Sequence, residues 1–220
     1  MERQVDSQLV ILKSQIMTMA GYVEKALDDS INALIQRTAD KFKKIHETEE
    51  KINEEHVRID NNCVAFFARQ SPLAKDLRWI VSIIKINSDL ERMGDQCVNI
   101  AHTGKDYLQR NIVFKLTEIS QMSTIVRKMV KDALDSFVTE NHELARSVIK
   151  CDDEVDHLKN QVFREFTSYI QTHPQNVEAA LDLILIARNL ERLGDHATNI
   201  AEDVIYVTTG KDIRHGGKFS

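Results

Sequence analysis

The sequence predicts an all-α chain, a tandem repeat of two antiparallel three-helix bundles with six long helices. Three observations predict it. The stretch Glu91-Arg92-Met93-Gly94-Asp95-Gln96-Cys97-Val98-Asn99-Ile100-Ala101 returns one hundred residues later as Glu191-Arg192-Leu193-Gly194-Asp195-His196-Ala197-Thr198-Asn199-Ile200-Ala201, with seven of the eleven positions identical. Seven glycines and two prolines in 220 residues, with 42 % hydrophobic and 29 % charged residues, favour long helices over strands or disorder. Apolar residues recur at steps of three and four along most of the chain, the signature of one buried helical face.

The elements follow in order. From about Asp6 to Gln36 the stripe is Leu9, Leu12, Ile16, Met19, Val23, Leu27, Ile31 and Leu34. Thr38 is placed to cap a second helix with Ile45, Ile52, Ile59 and Phe66 on its apolar face. Ser71-Pro72 ends that helix and opens a third, running to about Gln109, because proline at the first helical position forfeits only an N–H that lacks a partner. The plan then restarts. Ile112 to Val138 is amphipathic, Thr139 is the matching cap, and a fifth helix from about Glu140 to Gln171 carries Val148, Val155, Val162 and Tyr169, each 103 residues after its counterpart in the second helix. Pro174 opens the sixth. Short connections between striped helices give bundles, with residues 1–110 in the first, 111–210 in the second and 211–220 a flexible tail.

Composition excludes several classes. The net charge of −5 and the lack of any basic block argue against nucleic-acid binding. The three cysteines, Cys63, Cys97 and Cys151, are odd in number and in no metal-finger spacing, as expected of reduced thiols in the cytoplasm. No signal peptide or bilayer-length apolar run is visible, so a membrane is met only through partners. No phosphate loop or nucleophile elbow occurs, and Glu154-x-x-His157 stands alone where a di-iron carboxylate site needs two such pairs.

The repeated motif carries the chemistry. At 100° per residue Asp95 lies about 40° around the helix from Glu91, Asn99 about 80° and His102 about 20°, so they share one side. Counting sevens from Leu77 through Ile84 reaches Glu91, and Ile184 leads likewise to Glu191, which places a carboxylate at the expected packing seam. Such a group needs a cation or a donor. The preceding helix of each repeat offers Glu49 with Asn53, and Asp152 with Asp156, on its core-facing side. Two candidate sites result: Glu49, Asn53, Glu91 and Asp95, and Asp152, Asp156, Glu191 and Asp195. Oxygen donors of this kind suit Mg²⁺, Mn²⁺, Fe or Zn²⁺. The alternative is that Arg92 or Arg192 neutralises the carboxylates as an ion pair and no metal is held. Gly94 and Gly194, each costing about 1 kcal/mol inside a helix, point to close helix approach or to room beside the carboxylates. The sequence leaves open the roles of His102, Glu202, Asn99 and Asn199.

The segment Arg69-Gln70-Ser71-Pro72-Leu73-Ala74-Lys75-Asp76-Leu77-Arg78, the two Glu-Arg-x-Gly-Asp motifs and the ending Glu202 to Tyr206 with Thr209 to His215 resemble the PhoU family, accessory regulators of phosphate-specific transport. The resemblance spans the whole chain. It implies two three-helix bundles, a homodimer, and Glu/Asp-x-x-x-Asp pairs that hold metal as multinuclear clusters, mapped here onto the eight residues of the two candidate sites. Asn53 departs from the acidic pattern, so the second site is expected to bind metal more tightly. The resemblance further implies a cytoplasmic, non-enzymatic negative regulator that couples the phosphate ABC transporter ATPase subunit to a sensor histidine kinase. Two alternatives stand beside it: a purely structural helical adaptor without metal, and a carboxylate-bridged di-metal enzyme.

Overall fold

The computed structural model describes residues 4–38, 42–69, 72–110 and 112–214. Among these, the ordered elements are six long helices and one short 3₁₀ turn: α1 (Gln4–Ile35), α2 (Lys43–Arg69), α3 (Ala74–Gln109), α4 (Thr117–Thr139), α5 (His142–Thr172), the turn Pro174–Asn176, and α6 (Val177–Thr209). Helices α1 to α3 pack as one bundle and α4 to α6 as another. The all-α tandem bundle is as expected, and the stripe 103 residues apart is its core: Ile45, Ile52 and Ile59 are fully buried, as are Val148, Val155 and Val162.

The bundles meet along α3 and α6, with α1 against α4 beside them. One continuous hydrophobic core runs through both. The central pair is antiparallel: Lys85 pairs with Asp203, Asp89 with His196 and Asn199, and Arg110 with Glu178 and Asp182, so partners on α6 fall in number as those on α3 rise. Trp79 packs edge-on against Phe137 at 5.5 Å, and Arg127 reaches Asp28 at 2.6 Å, tying the bundles on the α1–α4 side.

The helix ends differ from expectation in an instructive way. Thr38 does not cap α2; its N–H donates to the Ala33 carbonyl and finishes α1, after Arg37 has turned left-handed at φ 52°. Thr139 is the last residue of α4, and its hydroxyl donates back to Asp135. Its neighbour Glu140 makes the left-handed turn at φ 54°, and Asn141 caps α5 by accepting from the N–H groups of Glu143 and Leu144. Arg37 and Glu140 are 103 residues apart, so both repeats break their first helix at the same place without glycine. Ser71 lies outside the described residues; α3 opens at Ala74, where the Asp76 carboxylate accepts from the Leu73 N–H. Pro174 does open the turn that leads into α6. Of the tail, Ile213 packs on the core and Arg214 pairs with Asp212, while residues 215–220 lie outside the described residues.

The sevens counted from Leu77 also miss the seam. Leu77 and Ile84 are 40 % and 38 % exposed, and the buried face of α3 runs through Ile80, Ile83, Asn87, Leu90, Met93, Gly94, Cys97 and Ala101. Glu91 therefore borders the core and stays half-buried. The glycines beside it are not equivalent. A Cβ on Gly94 would stand 3.0 Å from Ile52 Cδ1, so buried Ile52 would have to give by a few tenths of an ångström, whereas at Gly194 the nearest atom, Asp152 Oδ1, is 3.6 Å away. Gly194→Ala is accordingly expected to raise stability by up to about 1 kcal/mol through helix propensity, read by urea unfolding. The same change at Gly104, where the added atom would meet Phe42 Cζ at 2.9 Å, is expected to forfeit that gain to strain.

Candidate functional site

The antiparallel crossing of α3 and α6 brings the two copies of the motif to one groove. Its walls are Glu91, Arg92, Asp95 and Gln96 from α3 and Arg192, Asp195, His196, Thr198 and Asn199 from α6, around about 800 Å³. Of the eight candidate residues, Glu91, Asp95 and Asp195 line this groove, and Glu49, Asn53, Asp152, Asp156 and Glu191 are not among its walls. Asp89 ties the walls together, with His196 Nδ1 at 2.8 Å from its Oδ1 and Asn199 Nδ2 donating to the same oxygen at 3.2 Å.

In the first half, Glu49 and Asn53 lie on α2 and Glu91 and Asp95 on α3. Asn53 Nδ2 donates to Glu49 Oε1 at 2.5 Å, so the amide aims the Glu49 carboxylate in this arrangement and supplies no charge. Desolvation raises the Asp95 carboxyl above its ordinary value, Glu49 adds to this by repulsion, and Arg92 partly offsets it. Fully buried Asn87 fixes the two helices by donating to the His56 carbonyl at 3.0 Å and to Asp60 Oδ1 at 2.9 Å.

In the second half, Asp152 and Asp156 on α5 face Glu191 and Asp195 on α6. Asp152 is pushed up to about 6 by desolvation first, then by Asp195, Asp156, Glu191 and Asp153. Asp195 is raised as well, by desolvation, Glu191 and Asp156, against His196 and Lys159. The four acidic residues thus form one repelling group. The cation that meets them is one the sequence reading missed: Lys159 Nζ lies 2.8 Å from Asp156 Oδ1 and 3.0 Å from Glu191 Oε1. Its place three residues after Asp156, on the same helical face, was a usable signal. Neither Arg92 nor Arg192 makes an ion pair among the described residues, so the arginine pairing is not what the structure contains. No three His, Cys, Asp or Glu side chains are gathered at metal-binding distances among the described residues.

The raised Asp152 has a consequence for metal-free protein. Because its carboxyl binds the proton more tightly folded than unfolded, its favourable contribution is complete below the reference value of 3.8 and is lost as pH rises through about 6. Thermal melts in chelator should therefore show a loss of stability across that window, and Asp152→Asn should flatten it. A wild-type and variant profile of equal slope would count against the repulsion.

The tandem helical fold agrees with the comparisons. The PhoU domain model matches residues 16–103 and again 119–204. A phosphate-specific transport system accessory protein PhoU homolog of Pseudomonas putida is 37 % identical over 216 residues, covering 98 % of this chain and 84 % of that protein. The crystal structure of PhoU from Pseudomonas aeruginosa superposes with a TM-score of 0.91 at 36 % identity, covering 94 % of this chain and 100 % of that one. That of the phosphate transport system regulatory protein PhoU from Streptococcus pneumoniae gives 0.88 at 25 % identity, with 95 % and 99 % covered. Two matched domains, each ending in a Glu-Arg-x-Gly-Asp motif that opens on the same groove, and relatives matched over nearly their whole length place the chain in the PhoU family.

Proposed function

We propose that the protein is a metal-binding accessory regulator of phosphate uptake and signalling, not an enzyme. In this reading it works in the cytoplasm, as a homodimer, on the phosphate ABC transporter ATPase subunit and a sensor histidine kinase, and it holds phosphate-starvation genes off when phosphate is plentiful. The observation that carries the reading is the near-full-length relation to accessory proteins of phosphate-specific transport. Deleting the gene and assaying alkaline phosphatase at high phosphate tests it: derepression is expected, and unchanged repression overturns the reading. No described helix is long and apolar enough to cross a membrane.

The donor chemistry fits a divalent cation. Asp152, Asp156, Glu191 and Asp195 repel one another and already attract one positive charge, that of Lys159. In the first half Glu49, Glu91 and Asp95 would hold the ion, with Asn53 as a neutral donor. A hard or borderline metal such as Mg²⁺, Mn²⁺, Fe or Zn²⁺ would supply charge neutralisation there. Several ions at one site would suit the number of carboxylates.

Lys159 also supports a second reading, a helical adaptor that needs no metal because the ammonium does the neutralising. One substitution separates the two. Lys159→Met should raise Mn²⁺ affinity at the second half about tenfold, since a competing charge close to two ligands is worth at least the ~1.4 kcal/mol of one such step. Calorimetric titration measures it; no Mn²⁺ binding in either protein favours the adaptor.

A further inference from the structure

His46 on α2 and His102 on α3 stand beside the first candidate site. Their ring centres are 5.0 Å apart with the planes inclined at 62°. Both side chains are exposed, and among the described residues neither has a hydrogen-bond or ion-pair partner. Their spacing is set from below. The neighbouring residues Ile45 and Ala101 are buried in a small apolar cluster with Ala33 and Phe42, and Gly104 admits Phe42 so closely that a Cβ would meet it at 2.9 Å. The two imidazoles are thus presented to water by helices that cannot move apart without breaking that packing.

The separation lies in the ordinary range for edge-to-face rings and is also one that a shared metal would accommodate. With metal–nitrogen bonds of about 2.0–2.1 Å, a ring centre about 1.1 Å beyond each nitrogen and a tetrahedral angle, two imidazoles on one ion have centres about 5 Å apart. Two exposed rings bury little surface against each other, so packing alone gives the arrangement little stabilisation. The second half has no counterpart: Ile149 and Glu202 occupy the equivalent positions. The pair belongs to the half in which Asn53 stands where the second half has Asp156.

We propose that His46 and His102 form a two-imidazole site for a borderline divalent cation such as Zn²⁺ or Co²⁺, separate from the carboxylate motifs. Imidazole suits this class and binds Mg²⁺ poorly, whereas carboxylates accept Mg²⁺ as well. Water completes the coordination. Glu49, one turn along α2 from His46, is engaged by Asn53.

The test uses the full, tag-free chain stripped of metal. Zn²⁺ titration against a competing chelator and Co²⁺ titration followed by its visible d–d absorption are run on the wild type, on His46→Gln and His102→Gln, and on Glu91→Gln/Asp95→Asn. Each histidine change should weaken one Zn²⁺ equivalent about tenfold or more, as even outer-shell partners of a bound metal are worth 10–100-fold. The carboxylate variant should keep that equivalent, which distinguishes this proposal from the reading of the motifs. In the wild type, Zn²⁺ should protect His46 and His102 from diethyl pyrocarbonate, a measurement that needs no variant to fold. An unchanged Zn²⁺ equivalent in the histidine variants, its loss in the carboxylate variant, or no protection overturns the separate site.

Discussion

Lys85→Met should lower the unfolding free energy by about 2 kcal/mol, less than the ~3–5 kcal/mol of breaking a fully buried ion pair, because the lysine side chain is 34 % exposed. The Lys85 ammonium lies 3.0 Å from Asp203 Oδ1, and the Asp203 side chain is only 5 % exposed. Burial raises the Asp203 carboxyl, and Lys85 and then Arg214 act against this. Without the lysine the carboxylate keeps only the guanidinium of Arg214, 4.0 Å away, or takes up a proton. The pair crosses from α3 to α6, so its loss loosens the joint between the bundles. Urea denaturation of Lys85→Met measures the loss, and adding Asp203→Asn should recover part of it. A change within about 0.5 kcal/mol, the range of ordinary surface substitutions, would show that the aspartate does not depend on its partner.

The second large effect concerns cations. Asp152→Asn with Glu191→Gln should lower Mn²⁺ affinity at the second half about 100-fold or more, since these would be direct ligands and outer-shell partners alone are worth 10–100-fold. The same pair of changes should stabilise the metal-free fold, because it removes part of a mutually repelling group. Opposite signs for binding and stability mark carboxylates kept for a ligand. If both quantities fall together, the carboxylates serve the fold through Lys159. Electron paramagnetic resonance of Mn²⁺ and chelator melts give the two numbers.

Much of this was legible because the chain states it twice. One repeat at 100 residues and one at 103 place the helices and put Glu49 and Glu91, and likewise Asp152 and Glu191, on neighbouring helices of each bundle. The boundaries were less visible because capping depends on local backbone shape. Thr38 and Thr139 have the right hydroxyl, yet they sit where α1 and α4 end, and Asn141 does the capping for α5. A strict count of sevens misled at Leu77 and Ile84, because a straight helix drifts from that period and the α3–α6 contact turns a different face inward. The shared groove, the Asp89 tie and the Lys85–Asp203 pair all depend on the antiparallel crossing of helices about one hundred residues apart in sequence, a relation no local pattern encodes.

The groove at that crossing has a left and a right. A chain built of two like halves would offer a visitor two interchangeable ways to land, related by a half-turn. Here one wall carries Gln96 where the other carries His196, which is held by Asp89. The half-turn no longer superposes like on like, so the two landings differ in charge and in chemistry. A partner that docked on this face would meet a direction, and so would meet the chain in one orientation.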